Sequence, residues 1–173
     1  MADVRIEHVY NCSEDAFWDK MFFDDAYNED LFKKALAFPV YEKLKQDETE
    51  SELRRSINVV PKLGPMPGPL KAVIGEGLGY REDGVFDKKT RRYSIVITPN
   101  KLADKMTIKG TLYTKSQGDK CVRHFDCTVV AKIFGVGGML EKRIIADMED
   151  SYKKGADFSN QWIFVASRLV ILH

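Results

Sequence analysis

The feature that most constrains this chain is a change of period near its end. Residues 120–134 alternate, with Phe125, Cys127, Val129, Ala131 and Ile133 on one face and His124, Asp126, Thr128 and Lys132 on the other. That pattern is a strand with one buried face and one wet face. It stops at Gly135-Val136-Gly137-Gly138, and a helical pattern then runs to the C-terminus. Leu140, Ile144, Met148 and Tyr152 recur every four residues, with Ile145 and Phe158 nearby, opposite Glu141, Lys142, Arg143, Glu149, Asp150, Lys153 and Lys154. This is an amphipathic helix laid on a sheet. The sheet reaches back through Met106, Ile108, Gly110 and Leu112, and before them Tyr93, Ile95 and Ile97.

The rest of the chain supplies the other strands and two short helices. Residues 4–10 alternate as the first strand. Ser13, followed by Glu14 and Asp15, is an N-cap with acids where the positive end of the helix dipole lies. The first helix carries Phe17, Trp18 and Met21; Asp24-Asp25 breaks it, and a second runs from about Glu29 to Phe38 before Pro39. Residues 40–46 form a weakly patterned strand, and Leu53, Arg55, Ile57 and Val59 mark the next. Gly64-Pro65-Met66-Pro67-Gly68-Pro69 is a loop, because proline lacks an N–H and fixes φ; it leads into one helical turn at residues 70–74. Two hairpins follow, turning at residues 87–90 and 116–119. The expected fold is α+β: a curved antiparallel sheet wrapped around a long C-terminal helix, with two short helices after strand one. Such a grip leaves a hollow between sheet and helix.

At 173 residues the chain can bury one substantial core. Its net charge of +1 argues against a general nucleic-acid binder, which needs a basic excess to neutralise phosphates. No basic stretch leads into an apolar run at the N-terminus, so no secretory signal is expected. The longest apolar run, Trp162 to Leu172, is well short of the ~20 residues of a membrane span. Cys121 and Cys127 lie roughly 20 Å apart on one strand at ~3.3 Å per residue, beyond the ~7 Å a disulfide allows. With Cys12, they read as three reduced thiols in a cytoplasmic protein. Residues 1–162 make the domain. Residues 163–173 form an apolar tail that closes the pocket, meets a partner chain or is a processing remnant.

Val136-Gly137-Gly138-Met139-Leu140-Glu141 at the entry to the last helix, together with the order of elements, resembles the START-like helix-grip superfamily, also called SRPBCC. The segment is similar to an uncharacterised bacterial branch that often places a proline before Val-Gly-Gly, where this chain has Phe134-Gly135. The superfamily includes lipid and sterol carriers, polyketide cyclases and aromatases, and chaperone partners. The resemblance therefore implies a cavity more firmly than a reaction.

No catalytic constellation stands out, and no cofactor is expected. Gly135–Gly138 lacks the features of a phosphate cradle and reads as a tight turn. His8, His124 and His173 are not at metal-ligand spacing, so no metal is expected. Cys127 has no histidine placed to activate it. Arg55 and Arg123 fall in register with inward positions. They read either as anchors for a ligand's carboxylate or phosphate, or as strand-end residues that snorkel to water, Arg123 being close to a hairpin turn. Lys88, Lys89, Arg91 and Arg92 surround one hairpin tip and read as a solvated turn or as a transient membrane contact. The expected ligand-binding residues are Arg55, Tyr93, Ile95, Met106, Ile108, Leu112, Phe125, Cys127, Val129, Ile144, Met148 and Tyr152. The expected function is binding or carriage of a hydrophobic small molecule, such as a lipid, sterol or polyketide-like compound. The alternatives are a cyclase or aromatase-type enzyme in the same cavity and an interaction module with a filled core. The residues set no oligomeric state.

Overall fold

The computed structural model describes the backbone of residues 1–171 and the side chains of residues 1–166. Strand β1 (Ala2–Tyr10) leads into α1 (Glu14–Ala16, widening into a π turn over Phe17–Phe22) and α2 (Asp25–Glu29, widening likewise over Asp30–Ala35). Then come β2 (Val40–Glu48), β3 (Glu52–Val60), α3 (Gly68–Ile74), β4 (Tyr80–Asp87), β5 (Arg92–Pro99), β6 (Met106–Gln117), β7 (Lys120–Ala131) and α4 (Gly137–Ile171). The seven strands form one antiparallel sheet in the order β1-β7-β6-β5-β4-β3-β2. Helix α4 packs inside the curl, against β1 and β7. This is the expected helix-grip. Among the described residues no helix is long and apolar enough to cross a membrane.

Local chemistry accounts for the elements. Ser13 Oγ accepts from the Ala16 amide at 3.2 Å and starts α1. Trp18 carries α1 onto the sheet: its ring stacks on Phe86 at 4.4 Å and its indole N–H donates to Thr114 Oγ1 at 3.0 Å. A buried indole needs such a partner. Asp24, expected only to break the helical pattern, caps α2 by accepting from the Tyr27 amide at 2.7 Å. The second helix therefore starts four residues earlier than the periodicity predicts. Tyr27 is buried, and its hydroxyl pairs with Ser159 of α4 at 2.7 Å.

Two further expectations are corrected. Strand β7 ends at Ala131, not at Phe134, which projects fully into solvent. The turn needs the room: Gly135 sits at φ +76°, and a Cβ on Gly137 would strike the Ala131 carbonyl. Glu141, placed by periodicity on the wet side of the last helix, is buried because it accepts from the Ala131 amide at 2.8 Å, where the ladder stops. Of the apolar tail, Ile163 packs on the core while Phe164 and Val165 are largely exposed. The side chains of the tail beyond residue 166, where the rest of that expectation falls, lie outside the described residues.

Glycine sets the curvature at two places. Gly84 on β4 lies beneath the Tyr93 ring, and Gly110 on β6 lies beneath the Phe125 ring. In each pair the ring lies across the neighbouring strand where a side chain is missing. Gly110→Ala should therefore destabilise the protein by ~1–3 kcal/mol, the usual range for overpacking. Urea denaturation is the measurement, and Gly110→Ala combined with Phe125→Leu should recover part of the loss.

Candidate functional site

Because α4 rests toward the β1–β7 side, space remains between the helix and the middle strands. A cavity of about 210 Å³ occupies it. Its floor is Ile95, Ile97, Met106, Ile108, Leu112 and Phe125; its roof is Leu140, Ile144, Met148 and Tyr152. Phe22, Tyr27 and Phe32, from the two short helices, close one end. The segment 61–79 contributes Leu63, Met66, Leu70, Ile74 and Leu78. Arg143 of α4 holds that segment down, donating to the carbonyls of Pro65 at 2.8 Å and Gly64 at 3.3 Å, while its Nε pairs with Asp147 at 2.8 Å.

The walls are apolar except for a few convergent groups. Arg55 is 5% exposed and lies against the rings of Phe22, Phe23 and Tyr93. It donates to the Phe22 carbonyl at 3.1 Å and reaches Glu82 at 3.5 Å, and Tyr93 Oη donates to the same carboxylate at 3.2 Å. Arg123 is 7% exposed and sits between the rings of Tyr10 at 4.9 Å and Tyr152 at 4.5 Å. Neither arginine snorkels. The hairpin turn after β6 is near Arg123 in sequence, but Tyr10 and Tyr152 roof it over. Burial pushes the phenols of Tyr27, Tyr93 and Tyr152 well above their ordinary range, so they act as donors at neutral pH.

The structure brings nine of the twelve expected residues to the cavity wall: Arg55, Ile95, Met106, Ile108, Leu112, Phe125, Ile144, Met148 and Tyr152. Tyr93, Cys127 and Val129 are buried but do not line it. Tyr93 is turned onto Gly84, and Cys127 and Val129 lie on β7, against which α4 packs. Burial raises the Cys127 thiol to about 11, far from a reactive thiolate. Sequence reasoning passed over Tyr80 and Glu82. Their signal is faint, because Glu82 and Gly84 interrupt the apolar alternation of β4. His124, expected on a wet face, does point away from the helix but is only 8% exposed, stacked on Tyr113 and paired with Glu7. At the basic hairpin tip, Lys88 pairs with Glu48, Arg91 with Asp15, and Arg92 lies over the Tyr113 ring.

A single curved antiparallel sheet gripping a C-terminal helix over such a cavity is the fold of the START-like, or SRPBCC, superfamily. Solved structures agree. A protein from Thermus thermophilus, TTHA0849, superposes with a TM-score of 0.67 at 15% identity over 96% of this chain and 99% of its own. The Zhui aromatase/cyclase from Streptomyces sp. R1128 gives 0.60 at 11% identity over 94% of this chain and 95% of its own. A START superfamily protein from Mycobacterium smegmatis gives 0.60 at 12% identity, covering 92% and 98%. No curated protein matches the sequence. The chain belongs to the family described as "Protein of unknown function (DUF2505)", whose model matches residues 5–163.

His8, on β1, also meets Arg123, with Nδ1 and Nη2 3.3 Å apart. Burial first, and then Arg123, lower its pKa; Lys153 acts in the same direction and Asp157 opposes. The folded protein thus prefers neutral His8, while the unfolded chain protonates near the ordinary 6.5. Stability should be full above that value and fall as the pH drops below it. The melting temperature of the wild type should decrease more than that of His8→Gln between about pH 7.5 and about pH 5.5. Parallel melting curves would show that His8 contributes nothing to the linkage.

Proposed function

We propose that the protein binds and carries a hydrophobic small molecule in the cavity between sheet and α4. The observation that supports this most is the wall itself: helix, sheet and the 61–79 segment all present apolar side chains to unfilled space, with only a few polar groups among them. Preformed pockets of this composition are the usual sites for small apolar ligands. The driving force is desolvation, about 25 cal/mol per Å² of apolar surface buried. The volume favours a medium chain or a small ring system over a full sterol or phospholipid. The 61–79 segment, strapped by Arg143, serves as the gate. We place the protein in the cytoplasm, in keeping with the free thiols of Cys12, Cys121 and Cys127. We keep residues 163–173 as a separate tail, and a transient membrane contact during ligand exchange belongs to the same reading.

One observation favours a second reading, a cyclase or aromatase-type enzyme. Arg55, Arg123 and Tyr152 line one cavity and are hydrogen-bond donors suited to a developing enolate. The interior carboxylate that would act as base, Glu82, is engaged by Arg55 and Tyr93. The unfilled volume speaks against an interaction module with a solid core.

Met148 lies mid-helix on the cavity roof. Met148→Trp should abolish uptake of the neutral fluorescent probe N-phenyl-1-naphthylamine and leave urea stability nearly unchanged, since the ring enters open space. A filled core would show the reverse: no uptake by the wild type and a loss of ~1–3 kcal/mol in the variant.

A further inference from the structure

The charges around the cavity do not balance. Arg55 faces Glu82 at 3.5 Å, and Arg143 faces Asp147 at 2.8 Å. Arg123, also on the wall, makes no ion pair among the described residues. Its Nη2 meets His8 Nδ1 at 3.3 Å and the Tyr152 carbonyl at 3.4 Å, both long contacts to neutral groups. Its Nε is buried and has no hydrogen-bond partner among the described residues. Two aromatic faces cover it. A guanidinium cannot release its proton to escape burial. A buried cation held only by rings, a neutral imidazole and one carbonyl is an incomplete site.

We propose that the natural ligand is an amphipathic monocarboxylic acid, and that Arg123 is its counter-ion. This rests on the carrier reading above and adds the chemistry of the head group. A carboxylate brings one negative charge, which matches the one unmatched cation. Its two oxygens suit the planar end of the guanidinium, where the terminal nitrogens present parallel N–H donors. A dianionic head group would leave a charge unpaired in an apolar space. The apolar body lies between Ile108 and Phe125 of the floor and Ile144 and Met148 of the roof, which line the same cavity as Arg123. The cavity of about 210 Å³ is small for a ligand pocket, which sets the body at a medium chain or one or two rings. Arg55 also has a buried Nε without a hydrogen-bond partner, but it is not the anchor, because it already faces a counter-charge in Glu82.

The test compares decanoate with 1-decanol as competitors of bound N-phenyl-1-naphthylamine, in the wild type, Arg123→Met and Arg123→Lys. Decanoate should displace the probe at roughly tenfold lower concentration than decanol in the wild type, although decanol is the more hydrophobic. Arg123→Met should lose that preference while its affinity for decanol stays within about twofold, and Arg123→Lys should keep part of the preference. Equal displacement by both ligands in the wild type, or a preference that survives Arg123→Met, overturns the anchor and leaves the carrier standing. Failure of the wild type to take up the probe or either ligand overturns the carrier reading, and the anchor with it. If Arg123→Met does not fold, the wild type decides the matter through decanoate labelled with carbon-13 at the carboxyl. Its NMR titration should shift to lower pH when bound, because Arg123 favours the ionised form. An unchanged or upward shift overturns the proposal.

Discussion

Everything in this molecule follows from where α4 rests. The helix is amphipathic, so it must bury one side, and the sheet offers a single concave face. It settles along β1 and β7 rather than across the centre. Glu141 holds its first turn at the end of β7 through the Ala131 amide, and Ser159 holds its later turns to α2 through Tyr27. A helix placed there cannot also fill the space over the middle strands. The cavity is the remainder of that packing, and the short helices and the 61–79 segment close it off rather than fill it.

The second consequence is electrical. Inward positions of a gripping sheet are normally apolar, yet β3 and β7 each place an arginine there. The two are handled differently. Arg55 is met by a carboxylate, a carbonyl and three rings, and so behaves as part of the framework. Arg123 is held by its described surroundings without being neutralised by them. Residues that cost stability where they stand, with nothing in the framework to offset them, mark the places where a fold is shaped for something other than itself.

Aromatic residues carry much of the architecture. Trp18 on Phe86, Phe125 on Tyr152, and Tyr93 and Phe125 over glycines join sheet to helix and strand to strand. Of these rings Phe125 and Tyr152 also line the cavity, which is why a core position and a ligand contact look alike in this chain. Tyr93 and Phe125 have the same inward register and the same kind of glycine beneath them, yet only Phe125 reaches the open volume. The difference is the neighbour: Glu82 draws the Tyr93 hydroxyl to itself.

The sequence by itself determined the helix-grip. Period-two alternation in residues 120–131, the glycines at 135, 137 and 138, and the four-residue spacing from Leu140 to Tyr152 are local signals, and local sterics decide them. Most of the inward-facing residues were legible for the same reason, since alternation assigns faces. The partners of those residues were not. That Asp24 caps a helix, that Glu141 is buried, that Glu82 neutralises Arg55 and that no described residue neutralises Arg123 all depend on contacts between segments apart in the chain. Register within a strand says which way a side chain points. Only the lateral placement of α4 on the sheet decided what it meets there, because that placement comes from packing summed over the whole concave face, which no single stretch of residues encodes.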